Sequence, residues 1–192
     1  MNSKREEMKL KRQREKKLKT MTWGILGLAV VVALVVAFST GVRPVLGEEA
    51  AIMPDYSHVA EGTDPGPYST NPPTSGKHYP VSYQAGFFHE EDVNASYPAG
   101  YLVHSLEHGY VIFWYNCQIL DEAGCLQLKA DIQSVMERAS NFKVIAHPWS
   151  SIDVPVVMTS WGRLFRFEVF DREDAYAFIR SNRNKAPEPH AD

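Results

Sequence analysis

Cysteine is scarce in this chain: Cys117 and Cys125 are the only two in 192 residues, and they are not spaced as Cys-x-x-Cys. That spacing disfavours a redox pair of the thioredoxin type and a metal site built from thiolates. In an oxidising compartment, a pair this close in sequence can close a short loop. We therefore predict a structural disulfide between Cys117 and Cys125.

Basic residues are also scarce beyond the N-terminus. Residues 1–19 hold nine of the 20 Lys and Arg residues but only three of the 23 Asp and Glu residues, which leaves 11 basic and 20 acidic residues in the rest of the chain. Surfaces that bind nucleic acid need basic side chains to contact phosphates. The acidic excess therefore argues against nucleic acid as a partner.

Charge is absent from residues 20–42, whose centre is almost entirely apolar. About 20 helical residues cross a hydrocarbon core of roughly 30 Å, so this stretch predicts a transmembrane helix. The basic residues 1–19 then form a cytoplasmic tail, and the chain after Arg43 is the extracytoplasmic part of a single-pass protein of the cell membrane. The alternative is a cleaved signal peptide. We favour an uncleaved signal-anchor, because the apolar stretch is long, and between Phe38 and Glu49 there is no clear small-x-small cleavage site and no lipidation cysteine.

The exported part divides by composition. Residues 43–67 are rich in Pro and Gly and are expected to form a linker, whereas residues 68–188 are expected to form one globular domain with a short tail at 189–192. Residues 78–103 carry many aromatic side chains without periodicity and predict long loops. The prolines from Lys185 onward indicate a loose C-terminus.

Regular patterns begin at Gly109. Their order is strand 110–115, helix 121–139, strand 143–146, a hairpin of 154–161 and 164–170 that turns at Gly162-Arg163, and a last helix after the N-cap residue Asp171. This βαβ unit followed by a ββα unit predicts an α/β fold with two layers and a mixed sheet. The order is compatible with a thioredoxin-like topology, in which Pro155 falls where that fold places its cis-proline.

The most informative motif is His104-Ser-Leu-Glu107-His108-Gly109. In a helix, His104 and His108 lie one turn apart on one face and can share a metal ion, whereas in a strand they would be about 13 Å apart. Gly109 suits a short helical turn that ends just before a strand. The string also matches the inverted zinc-peptidase signature with Glu107 as general base, but so small a domain leaves little room for a peptide cleft.

A metal site with three imidazoles needs a further ligand. His78 is the best candidate, because Gly76 and the preceding prolines suggest a fixed loop; His89 and His147 follow. Imidazole suits zinc and copper about equally, and Met158 or Cys117 would add a soft ligand that favours copper. The structural alternative is that these histidines bond to backbone carbonyls in the core, oriented by Glu107.

Four segments together resemble a bacterial family of exported, membrane-anchored domains of unknown function. They are Pro72–Tyr79, Leu102–Val111, Thr159–Arg163 and Ala186–Glu188. The resemblance spans roughly residues 68 to 188 and implies that His78, His104, Glu107 and His108 belong to one pattern. It also implies that His89 and Cys117 lie outside that pattern.

The sequence therefore predicts a membrane-anchored extracytoplasmic domain that binds zinc or copper through His78, His104 and His108, with Glu107 as a fourth ligand or as a residue that orients a ligand. No catalytic residue, substrate or protein partner is assigned. Two alternatives stay open: a thiol–disulfide protein of thioredoxin-like topology, and a non-catalytic interaction module with structural histidines. His58 and His190 fall in the expected linker and tail and receive no role.

Overall fold

The computed structural model describes residues 16–19, 21–25, 27–28, 30–32 and 46–191, and its contacts divide the chain into two units, Met1–Pro44 and Val45–Asp192. In the first unit the described residues are helical. Their large apolar side chains are exposed: Leu18, Met21, Trp23, Ile25, Leu28, Val30, Val31 and Val32. Among the described residues, no helix is both long and apolar enough to cross a bilayer. The predicted tail 1–19 and transmembrane helix 20–42 lie in large part outside the described residues.

Within residues 46–191, the second unit contains three α-helices and six strands. The helices are α1 (Pro98–Glu107), α2 (Glu122–Arg138) and α3 (Arg172–Asn182). The strands are β1 (Glu48–Glu49), β2 (Gly86–Phe87), β3 (Val111–Tyr115), β4 (Val144–Pro148), β5 (Val156–Ser160) and β6 (Arg163–Phe167). Along the chain they follow in the order β1, β2, α1, β3, α2, β4, β5, β6, α3.

The strands form one mixed sheet in the order β1-β6-β5-β3-β4-β2. β2, β4 and β3 are parallel neighbours, whereas β5, β6 and β1 are joined by antiparallel pairing. In the centre of the sheet, Phe113 lies opposite Ala146 on one side and Met158 on the other. The predicted α/β class with a mixed sheet is confirmed.

Both faces of the sheet are covered. In β3, Val111, Phe113 and Tyr115 point to one face and pack with α2 and α3, while Ile112 and Trp114 point to the other face and pack with α1. Because successive side chains of a strand alternate between faces, the fully apolar run of β3 can fill two cores at once. The expectation of two layers is therefore wrong. The reason is that α1 covers the second face of the sheet, whereas residues 78–103, in which α1 begins, were expected to form loops.

Acidic side chains cap the starts of α2 and α3, which confirms the predicted N-cap at Asp171, whereas Tyr97, before α1, makes no side-chain cap. Asp121 Oδ1 accepts a hydrogen bond from Gly124 N at 2.7 Å, and Asp171 Oδ1 accepts from Glu173 N and Asp174 N at 2.8 and 2.9 Å. Each bond satisfies a donor that a helix start leaves without an intrahelical partner. Both helices bury one apolar face: Leu128, Ile132, Val135, Met136 and Ala139 on and after α2, and Ala175, Phe178 and Ile179 on α3.

Several boundaries differ from the sequence-based expectation. α1 begins at Pro98, inside the stretch expected to be loops, because proline fits the first turn of a helix. β4 extends to Pro148, and the hairpin turns at Trp161-Gly162, since Arg163 already pairs with Ser160. Among the described residues the cis peptide bond is Asn71–Pro72, so Pro155 does not hold the cis-proline position.

Candidate metal site

Helix α1 brings His104 and Glu107 to one place. Its apolar residues Leu102, Val103 and Leu106 are buried against the sheet, and His104 and Glu107 are buried as well, at 7 % and 6 % exposure. The helix ends at Glu107, and the chain turns out of it at Gly109, which has φ +83°, a conformation that glycine adopts without steric cost. The short helical turn predicted before β3 is thus a helix of ten residues.

His78 comes from the loop that precedes Tyr79. Gly76 has φ +128°, and a Cβ at that position would lie 2.9 Å from the ring of Tyr68, so the turn requires glycine. The turn places the Gly76 carbonyl oxygen 2.8 Å from Nδ1 of His78, whose side chain is fully buried. As Nδ1 donates to this carbonyl, Nε2 carries the free lone pair.

His104 is oriented in the same way. Its Nδ1 lies 2.5 Å from the carbonyl oxygen of Tyr79, the residue after His78. The donation of Nδ1–H to a backbone carbonyl is the arrangement that fixes the tautomer of metal-binding histidines and leaves Nε2 available. One short backbone segment, Gly76 to Tyr79, therefore orients two imidazoles.

His58 completes the group from an extended segment. It forms an isolated parallel bridge with His78, with Val59 N donating to His78 O at 2.8 Å. Its ring stacks on that of His104, with centroids 5.1 Å apart and planes 12° from parallel. His58 is exposed, so it forms the solvent side of the group.

The four side chains of His58, His78, His104 and Glu107 converge: one ligand atom from each lies within 4.8 Å of all the others. Nε2 of His78 is 2.9 Å from Oε2 of Glu107, and this buried nitrogen makes no hydrogen bond. A buried polar atom without a partner is costly, and a cation between the imidazoles and the carboxylate would satisfy it. We call these four residues the histidine cluster.

The pKa of His104 is lowered to about 4, chiefly by burial and to a smaller extent by the nearby imidazoles of His108, His78 and His58, against the opposing effect of the bond to Tyr79 O. This imidazole is therefore neutral near pH 7. A neutral imidazole is the form that binds a metal ion.

A surface pocket of about 430 Å³ adjoins the cluster. His58 and Glu107 form part of its wall, and the other lining residues are Pro54, Asp55, Tyr56, Ser57 and Glu188. Asp55 accepts bonds from Ser57 and pairs with Lys77 at 3.2 Å, which together hold its pKa at about 2. The pocket therefore presents the ionised carboxylate of Asp55 to solvent beside the cluster.

The sequence nominated three of these four residues: His78, His104 and Glu107. His108 lies beside the group, with its ring 4.4 Å from that of His104 and its Nε2 3.6 Å from Oε2 of Glu188, but its ligand atoms are not among the converging ones. His58 was missed, because a single histidine in a Pro- and Gly-rich stretch has no periodic signal. The bridge to His78 that positions it is a tertiary contact.

The other candidates lie elsewhere. His89 precedes a short 3-10 turn, and its backbone N bonds to Asp92. His147 is buried in β4 with Nδ1 2.8 Å from Pro148 O. Met158 is buried in the core between sheet and helices, which removes it as a soft ligand.

Cys117 and Cys125 form a disulfide with Cα atoms 5.2 Å apart. The bond joins the 3-10 turn after β3 to the first turn of α2. A carboxylate oxygen of Glu90 lies within 4.8 Å of both sulfurs. Because disulfide sulfurs are not thiolates, Cys117 offers no ligand to a metal in this state.

Residues 58–192 match a protein family whose description reads "Protein of unknown function (DUF3105)". The match begins at His58 and includes every residue of the histidine cluster. No curated protein and no solved structure shows significant similarity to the chain.

Proposed function

The chain belongs to the DUF3105 family of unknown function, and we propose that it binds one transition-metal ion, zinc or copper, through the histidine cluster. The observation that carries the proposal is the convergence of His58, His78, His104 and Glu107, in which the buried Nε2 of His78 makes no hydrogen bond and lies 2.9 Å from Oε2 of Glu107. Three imidazoles and a carboxylate are ligands that zinc and cupric ions accept in proteins. The cuprous ion prefers sulfur ligands, which the cluster lacks.

The domain that carries this site is proposed to lie outside the cytoplasmic membrane. The basic N-terminus, the uncharged stretch 20–42 and the disulfide Cys117–Cys125 support a single-pass anchor with an exported domain. The membrane is then the partner of the N-terminal segment, and the acidic domain is not expected to bind nucleic acid.

The metal proposal is tested by analysis of the full chain purified in detergent, stripped with a chelator and dialysed separately against Zn(II) and Cu(II). We expect about one equivalent of one of these metals, and its loss in His78→Ala/His104→Ala. The matched control is His89→Ala/His190→Ala, which removes two imidazoles but leaves the cluster intact. Absence of both metals from the wild-type chain, or equal binding by the cluster variant and the control, would overturn the proposal.

A second candidate function, thiol–disulfide exchange, is favoured by one observation. The units β3-α2-β4 and β5-β6-α3 follow the order of a thioredoxin-like topology, and the disulfide lies at the junction of β3 and α2. The Cys-x7-Cys spacing opposes it. If the pair is redox-active, the folded chain should catalyse the reduction of insulin by dithiothreitol; a disulfide that is reduced only after unfolding excludes this function.

A further inference from the structure

The C-terminal end of α1 is covered by a segment distant in sequence. A helix end leaves its last carbonyls without intrahelical partners. Here three consecutive carbonyls, at the helix end and just after it, accept hydrogen bonds from residues outside the helix. Glu107 O accepts from Glu188 N at 3.0 Å, His108 O from Lys143 Nζ at 2.9 Å, and Gly109 O from Asn184 N at 2.9 Å. Residues 184–191, called the C-terminal strap below, are therefore fixed to the helix end that carries Glu107. The expectation of a loose C-terminus does not hold for these residues.

Lys143 is the clamp of the strap. It is buried at 7 % exposure, and its Nζ donates to the carbonyl oxygens of His108, Pro189 and Ala191, each at 2.9 Å. An ammonium group has three donors, and all three are used here. Because a buried charge without such bonds is very unfavourable, the ammonium holds the strap against α1.

The clamp determines where Glu188 lies. With its backbone N bonded to Glu107 O, Glu188 lines the pocket together with His58 and Glu107, two members of the cluster. Its side chain is 59 % exposed, and Oε2 is 3.6 Å from Nε2 of His108. Glu188 is thus a solvent-facing carboxylate beside a site whose innermost atom, His78 Nε2, is buried and lacks a hydrogen-bond partner.

We propose that the pocket is the route by which a hydrated divalent cation reaches the histidine cluster, and that Glu188 is the carboxylate that binds the cation first. This inference rests on the proposed function and names the form in which the metal arrives. Clustered carboxylates attract a free cation and raise its rate of association, and they repel an anionic complex. From Glu188 the cation passes to Glu107 and His58, which face the same pocket, and then to the buried imidazoles.

Stopped-flow measurement of Zn(II) association with the chelator-stripped full chain tests the route. In Glu188→Gln we expect the stoichiometry of the wild type and an association rate constant about 3- to 10-fold lower at low salt, because one carboxylate supplies only part of the roughly 10- to 1000-fold that electrostatic steering can give. The difference should shrink at high salt, because ions screen the carboxylate. The matched control is Glu173→Gln. Glu173 is an exposed residue at the start of α3, pairs with Arg138 and lines no part of this pocket.

Lys143→Gln tests the clamp. Release of the strap should slow Zn(II) association as Glu188→Gln does, and the two changes together should slow it no further than either alone. If Lys143→Gln does not fold, Glu188→Gln decides by itself. If the wild-type chain takes up no zinc, both this inference and the zinc site are overturned. If the wild type and Glu188→Gln take up zinc at equal rates, this inference alone is overturned.

Discussion

The rings of His58 and His104 stack with their centroids 5.1 Å apart and their planes 12° from parallel. One ring is exposed on an extended segment, and the other is buried on α1. His58 can therefore be removed without opening the core, whereas removal of His104 or His78 leaves a buried void. This difference makes His58 the best residue with which to separate metal binding from folding.

We propose His58 rather than His108 as the third imidazole, because its ligand atom lies within 4.8 Å of those of His78, His104 and Glu107. We expect His58→Ala to weaken Zn(II) affinity at least about 10-fold, whereas His108→Ala should weaken it less. A residue that does not bind the metal itself affects affinity by about 10- to 100-fold when it orients a ligand, and here the ligand histidines His78 and His104 are oriented by backbone carbonyls instead. Competition with a chromogenic chelator measures both affinities. A larger loss in His108→Ala would instead support the ligand set nominated from the sequence.

Acid should destabilise the metal-free domain through His147. Burial lowers the pKa of His147 to about 4, against an unfolded value of about 6.5. Between these two pKa values the imidazole of the unfolded chain is protonated and that of the folded chain is not. The contribution of His147 to the free energy of unfolding is therefore complete above about pH 6.5 and is lost as the pH falls towards about 4. One such group costs at most about 1.4 kcal/mol per pH unit.

The variant His147→Gln isolates this contribution. Urea unfolding in the presence of a chelator at several pH values between about 7 and 4 should show a weaker pH dependence in the variant than in the wild type. His104, whose pKa is also lowered to about 4, remains in the variant and retains part of the slope. An unchanged slope would show that His147 is protonated in the folded chain.

The disulfide should contribute to stability rather than to metal binding. It closes a loop with a sequence separation of eight residues, for which the chain-entropy relation gives about 2–3 kcal/mol. We expect Cys117→Ser/Cys125→Ser to lower the free energy of unfolding by about this amount, with the metal stoichiometry unchanged. Urea unfolding and metal analysis of the same preparations check both statements; loss of metal in the variant would contradict the assignment to the histidines.

Gly109 should tolerate no side chain. Its φ is +83°, and a Cβ there would lie 2.7 Å from Cα of Asn184 in the strap. Gly109→Ala should lower the free energy of unfolding by more than about 1 kcal/mol, because the left-handed conformation alone costs an L-residue about that much. Gly86→Ala is the control, since no atom lies within 4 Å of a Cβ at that position, and it should change stability by less than about 0.5 kcal/mol.

The regular part of the fold was predictable because its patterns are local. The apolar spacing from Leu128 to Met136 and the N-caps Asp121 and Asp171 mark α2 and α3, and β3 shows as a run of apolar residues. By contrast, β1 and β2 have two residues each, too few for a periodic signal. They exist because they pair with β6 and β4, and a single sequence does not reveal that pairing.

The cluster was predictable only in part, for the same reason. Helical spacing brought His104 and Glu107 together, and the turn at Gly76 pointed to His78. The position of His58 depends on its backbone bridge to His78, and the position of Glu188 depends on the hydrogen bonds that Lys143 donates to the strap. Both contacts join residues far apart in sequence and leave no local pattern.

The two shortest strands also decide what the borders of the sheet offer to other molecules. β1 pairs with only Arg163 and Leu164 of β6, and β2 pairs with only Ile145 and Ala146 of β4. Each border of the sheet therefore ends in a strand too short to serve as a template for a further chain. Short edge strands are a means by which proteins avoid edge-to-edge aggregation, so β1 and β2 themselves offer little backbone for another chain to pair with.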